Sequence, residues 1–240
     1  MHTPVLLNEA MNLLDPRPGG FIIDGTMDGG GYACEMVKRL KGRGTFMGID
    51  WDWKMIDEVD EKLKDCERQG TKVLLVNDNF ANIQELLIAH GLGEADGIVL
   101  DLGFSSEQLE SSGKGFSFMK DEPLIMTYAP DAIPVRELIR RLSESELGEI
   151  IREFGEERYA ARIANAIKTR DKRARIETTK DMREAIVQAV PGSYERGRIH
   201  PATRTFQALR IYANRELENL QKLLDFLPKI LKPGGRAVVV

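Results

Sequence analysis

Four short, nearly all-apolar runs constrain this chain more than any other feature: FIID at 21–24, TFMGID at 45–50, KVLLV at 72–76 and GIVLD at 97–101. Each is too short for a typical helix and lacks apolar/polar alternation, the pattern of strands buried on both faces. Segments that read as helices separate them, at about Tyr32 to Leu40, Trp53 to Arg68 and near Asn82 to His90. Strands alternating with helices build βα units. The expected fold class is therefore α/β, a Rossmann-like doubly wound parallel sheet covered on both faces.

After Asp101 the rhythm stops. From Phe104 to about Arg198 the sequence gives helical patterns (135–142, 145–154, 157–169 and 179–190) and no convincing strand. A long helix is then expected from Thr203 or Thr205 to Leu231, with a kink near Pro228. Lys232-Pro-Gly-Gly follows and leads into the apolar run RAVVV, which restores the α/β rhythm. The economical reading is one α/β domain of residues 1–105 and 200–240, interrupted by a helical domain of residues 106–199. The interruption follows the fourth strand, where loops at carboxyl ends of strands form ligand sites.

Charge is segregated in the same way. The whole chain carries a net −4, yet Arg136 to Arg215 holds 18 Lys and Arg against 12 Asp and Glu. A basic surplus on the inserted region and the helix after it suits a polyanionic partner. With 42% hydrophobic and 30% charged residues the chain is neither disordered nor rich in long apolar runs, so no membrane partner is expected. Residues 1–14 read as an amphipathic helix without a basic leader, which makes the cytoplasm the expected location. Cys34 and Cys66 lack CxxC spacing and nearby histidines, so buried thiols are expected and no metal site.

The chemistry concentrates at the strand ends. The first strand runs into Asp24-Gly25-Thr26-Met27-Asp28-Gly29-Gly30-Gly31 and opens directly into a helix. Glycines at such a turn let backbone amides approach a ligand. The loop lacks G-x-G-x-x-G spacing, and Asp24 would oppose a diphosphate while suiting a cationic ligand. The second strand ends in Asp50, where a carboxylate can accept both ribose hydroxyls of a nucleoside. An adenosine bearing a cationic tail accounts for both acids. Phe80, after the third strand, is a candidate to lie against adenine or an ordinary core residue, and Asp101 ends the fourth strand as an acid in need of a partner or a task.

These pieces occur in the order of a known family. HTPVLLNEAM (2–11), DGTMDGGGY (24–32), GID (48–50), DGIVLDLGFSSEQL (96–109), GKGFSF (113–118), FGEER (154–158) and HPATRTFQALRIYANRELENL (200–220) resemble the bacterial 16S ribosomal RNA cytosine-N4 methyltransferases. The resemblance covers essentially the whole chain. It implies S-adenosylmethionine as cofactor, 16S rRNA in the small ribosomal subunit as partner, and cofactor contacts at Gly30, Gly31, Tyr32, Asp50, Phe80, Asp101 and Gln108. The chain departs from the family pattern at Tyr32 (histidine in the family), at Asp28 (glycine) and at Ile125, Thr127 and Ala129, which replace two acids and an arginine. It ends at Val240 in what reads as the fifth strand, where family members continue; an open sheet edge there would favour a homodimer.

Methyl transfer to an exocyclic amine needs an acceptor that orients the amine and takes its proton. Asp101 is the first candidate and Asp24 the second. The target base must leave its stack, and Arg204, Arg210 and Arg215 are candidates to hold RNA phosphates meanwhile, against the plainer reading that they form ion pairs with Glu216 or Glu218. His200, beside Pro201, reads as structural. Two alternatives remain open at this level: a nicotinamide-dependent oxidoreductase using the same loop, and a catalytically impaired ribosome-binding or assembly factor that keeps the fold.

Overall fold

The computed structural model describes residue 4 and residues 6–103, 112–194 and 199–240, except the side chains of residues 66 and 68. The expected cofactor residue Gln108 and the Cys66 thiol lie outside the described residues, whereas Cys34 is half-buried against the core. The chain divides into two compact units, one of residues 1–105 with 218–240 and one of residues 106–217.

The first unit is the parallel sheet and its covering helices. In chain order it contains α1 (Leu7–Leu14), β1 (Phe21–Asp24), α2 (Gly31–Leu40), β2 (Thr45–Asp50), α3 (Trp53–Arg68), β3 (Lys72–Asn77), a 3-10 turn (Phe80–Asn82), α4 (Ile83–Ala89) and β4 (Ala95–Leu100). The strand order is β3-β2-β1-β4-β5, with β5 (Leu231–Val239) at one edge and every pairing parallel. Because neighbouring strand residues point to opposite faces, each apolar run feeds two cores. Ile22, Phe46 and Val99 join α1, α2 and α3 on one face through Met11, Met36, Leu40 and Leu63. Ile23, Met47, Ile49 and Ile98 join Ile83, Leu87, Leu223 and Ile230 on the other. The edge strands β3 and β5 are correspondingly less buried. In β5 the Lys232-Pro-Gly-Gly turn is a bulge, between the pairs Ala95↔Leu231 and Gly97↔Arg236.

The second unit is helical: α5 (Val135–Arg141), α6 (Glu144–Gly155), α7 (Ala160–Arg173), α8 (Thr179–Ala189) and α9 (Thr203–Ala213). Its only strand-like pairing among the described residues is the single bridge Pro123↔Thr178. Capping boxes start α6 (Ser143 with Glu146) and α8 (Thr178 with Asp181), each satisfying amides that a helix N-terminus leaves unpaired. Helix α7 begins at Ala160 rather than at the expected Glu157. Glu157 is buried; its carboxylate accepts the Tyr159 amide at 2.8 Å and the Tyr194 hydroxyl at 2.7 Å, which holds the chain outside the helix.

Two expectations are corrected here. The long helix from about 203 to 231 is two helices, α9 and α10 (Glu216–Ile230), separated at Asn214 and Arg215, where Arg215 has φ 51°. Asn214 is buried, and its amide nitrogen donates to the carbonyls of Met126 and Arg210 at 2.9 Å while its oxygen accepts the Tyr128 amide at 2.8 Å. Those bonds replace the helical continuation. The second domain boundary also moves, from after residue 199 to after Leu217, because Phe206 and Leu209 of α9 belong to the helical core with Leu147, Ile151 and Ile163.

A candidate cofactor-binding rim

The carboxyl ends of β1, β2 and β4 bring Asp24, Asp50 and Asp101 to one edge of the sheet, together with the loop from Gly25 to Gly30 and the start of α2. The loop passes close to the sheet at Gly25, where a Cβ would fall 2.6 Å from Leu100 Cδ2. At Gly30 the backbone is left-handed (φ 78°) and a Cβ would fall 2.9 Å from Val59 Cγ2, so glycine is demanded twice over. Gly31 and Tyr32 then open α2.

Each acid is held differently. Asp24 is fully buried; Oδ1 accepts the Thr26 amide at 3.2 Å and Oδ2 has no hydrogen-bond partner among the described residues. Burial holds its carboxyl well above the ordinary range, and Asp28, Asp50 and Asp101 push the same way. Asp50 is 6% exposed; Oδ2 accepts the Asp28 amide at 3.0 Å and Oδ1 the Asp52 amide at 2.8 Å, so the carboxylate is clamped in one orientation. Burial raises Asp50 to about 6 despite those bonds. Asp101 is half-buried, and its amide donates to Thr26 Oγ1 at 2.6 Å, which ties the loop after β1 to the end of β4. Tyr32 is buried, and burial, with the negative charges of Asp101, Asp24 and Glu9, raises its phenol to about 12.

Phe80 is 7% exposed and lies in the core among Ile23, Ile49 and Leu100. Two residues that sequence reasoning left without a role belong to this rim. Thr26 supplies the link to Asp101, and Asp28 enters the cluster as a fourth acid, left-handed at φ 43° and raised to about 7 by burial and by Asp50 and Asp101. Only the run of small and acidic residues in the loop could have signalled either.

In the helical unit Arg210 follows its ion-pair reading and not the phosphate one. It is 9% exposed, and its guanidinium grips Glu216 in a two-point pair (Nε to Oε1 2.8 Å, Nη2 to Oε2 2.9 Å), which commits it to the end of α9 rather than to a phosphate. Arg204 is half-buried and donates to the Tyr194 hydroxyl at 3.2 Å, whereas Arg215 is exposed. His200 stacks on Phe118 with centroids 4.8 Å apart, and Nδ1 accepts the Ala202 amide, as expected of a structural histidine. In the altered 123–130 segment Leu124, Met126 and Thr127 are buried.

The MraW methylase family matches residues 1–240, the whole chain. The chain belongs to that family. Relatives named ribosomal RNA small subunit methyltransferase H agree: that of Pelobacter propionicus is 44% identical over all of this chain and 76% of its own length. That of Acetivibrio thermocellus is 42% identical (100% and 76%), and that of Syntrophobacter fumaroxidans 39% (100% and 74%). Among solved structures, an S-adenosylmethionine-dependent O-methyltransferase from Thermotoga maritima overlaps 42% of this chain and 37% of its own at 14% identity and TM-score 0.34, a likeness too slight to carry weight.

S-adenosylmethionine is therefore the cofactor, and the oxidoreductase and impaired-factor alternatives find no support in the family match. The rim suits that molecule. The cluster of acids at the strand ends favours a cationic ligand, and the cradle at Gly25 and Gly30 admits backbone approach. Asp50 already accepts the Asp28, Asp52 and Trp51 amides, and its remaining lone pair suits a ribose hydroxyl. Among the described residues no helix is long and apolar enough to cross a membrane.

Proposed function

We propose that this chain methylates the N4 amine of a cytosine in small-subunit ribosomal RNA. The cofactor supplies an electrophilic methyl group on a cationic sulfur. Asp50 fixes the ribose, the backbone of Gly30, Gly31 and Tyr32 borders the amino-acid tail, and buried Asp24 closes the floor of the acidic rim. Asp101 orients the amine and accepts its proton, a role that falls to it rather than to Asp24 because Asp24 has no exposed surface. The amine lone pair is conjugated with the cytosine ring, so an acceptor at the N–H helps pyramidalise the nitrogen, and positioning supplies much of the remaining acceleration.

The observation that carries this reading is the whole-chain match to a methylase family whose relatives are named for small-subunit rRNA, together with an acidic rim of the kind a sulfonium nucleoside requires. The helical unit holds the basic surplus, and Arg204 and Arg215 contribute to a phosphate-binding face there. The test is methylation of small subunits lacking the modification, followed by nuclease digestion and mass spectrometry of the nucleosides. N4-methylcytidine is expected; a methyl group on another atom or base would refute the assignment.

A further inference from the structure

Among the described residues no group compensates the charge of the Asp28 carboxylate. Its backbone takes a left-handed conformation at φ 43°, which aspartate tolerates better than most residues, and its amide is pinned to Asp50 Oδ2 at 3.0 Å. The side chain is half-buried, and its carboxylate makes no hydrogen bond or ion pair among the described residues. The charged groups around it are mostly of the same sign: Asp24 from β1, Asp50 from β2 and Asp101 from β4, with Asp52 acting on Asp50 and the Tyr32 phenol opening α2. The nearby cation, Lys62 of α3, donates to the Gly29 carbonyl at 2.8 Å and faces Glu58 at 3.7 Å, so it is already shared.

We propose that Asp28 is the residue by which this rim distinguishes the cationic sulfonium donor from the uncharged thioether product, an inference that rests on the cofactor reading above. When the methyl group passes to the amine nitrogen, the sulfur keeps the electron pair of the broken S–C bond and loses its positive charge, and the amine gives up a proton. Ribose, adenine and amino-acid tail are the same before and after. Only a group that responds to the sulfur's charge can separate the two molecules, and a carboxylate that lacks a partner among the described residues and sits in a cluster of like charges responds strongly. An ionised Asp28 favours the donor and lets the product go. Its carboxyl is raised to about 7, so the preference grows as pH rises through neutrality, because a cationic ligand favours the ionised form that low pH removes. Asp50 titrates in the same range and its charge also acts on the sulfonium, so the share due to Asp28 is read as the difference between the unmodified protein and its Asp28 variants.

Isothermal titration calorimetry of the full chain with S-adenosylmethionine and with S-adenosylhomocysteine, at pH 5.5 and 7.5, tests the inference. In the unmodified protein the preference for the sulfonium, as a ratio of Kd values, should rise about tenfold between the two pH values, equivalent to one pKa unit of differential interaction. D28N and D28G, both compatible with a positive φ, should flatten that rise and lower the ratio at pH 7.5. A slope that survives in both variants, or is missing from the unmodified protein, overturns the role of Asp28 while leaving the cofactor site intact. If neither ligand binds the unmodified protein, the cofactor site itself falls and this inference with it.

Discussion

The Thr26 hydroxyl accepts the Asp101 amide at 2.6 Å, joining the loop after the first strand to the end of the fourth. Thr26→Val keeps the shape of the side chain and removes the acceptor. We expect a loss of about 1 kcal/mol in denaturant unfolding, because a part-buried amide is left unsatisfied. Methyl transfer should slow more than cofactor binding weakens, since Asp101 is the group released; single-turnover kinetics beside calorimetry would separate the two. Equal effects on both would remove Asp101 from the proposed chemistry.

Asp50→Ala takes away the clamped carboxylate and should weaken S-adenosylmethionine binding by at least about tenfold, the scale of one charged hydrogen bond. The Asp28 and Asp52 amides lose their acceptor at the same time, so part of the loss should appear as lower stability of the ligand-free protein. Unchanged affinity would mean that the nucleoside lies elsewhere.

At the helix break, Asn214→Ala deletes three hydrogen bonds from a buried side chain and should cost about 3 kcal/mol, readable as a lower denaturation midpoint. Arg215→Gly should move the other way by about 0.5 kcal/mol, because φ 51° is strained for arginine and free for glycine.

Arg210 and Arg215 should separate into stability and RNA binding. Arg210→Ala leaves the half-buried Glu216 carboxylate without its guanidinium and should cost about 2 to 3 kcal/mol, with little change in the salt dependence of RNA binding at temperatures where the variant stays folded. Arg215→Ala should leave the melting temperature within about a degree or two and reduce the slope of log affinity against log salt by about 1.

The rim acids also set a pH trend for the ligand-free protein. Asp24, Asp28 and Asp50 all bind protons more tightly folded than unfolded, to about 7 for Asp28 and about 6 for Asp50. Their effect is absent below the ordinary carboxylate range and destabilising above it, so the melting temperature should fall between pH 5 and 7.5. D28N should make that fall shallower.

The strands were legible because all-apolar runs between helical segments admit few other arrangements: β1 and β2 fall on FIID and TFMGID, and β4 starts two residues before GIVLD and ends at Leu100, leaving Asp101 just past it. The acids at their ends were legible for the same reason, since a carboxylate closing a buried strand needs a task. The break at Asn214 was not: Ile211-Tyr-Ala-Asn-Arg-Glu-Leu217 has helical periodicity, and the partners that end the helix, Met126 and Tyr128, are remote in sequence. Arg210 follows the plainer of its two readings, the ion pair with Glu216, because that carboxylate lies six residues on and both side chains are sheltered from solvent. The start of α7 is not legible because Glu157, a good helix former by type, is the buried acceptor of the remote Tyr194.

One acid sits at the opposite end of the sheet. Asp96, entering β4, accepts the Phe21 amide of β1 at 2.7 Å and the Lys232 ammonium of β5 at 2.8 Å; burial works against its charge, but these donors hold its carboxyl below the ordinary range. The sheet is thus polarised from inlet to outlet. Mild acid leaves the Asp96 staple across three strands in place while it discharges the far edge, so the scaffold can persist under conditions that switch off its electrostatic appetite for a cation.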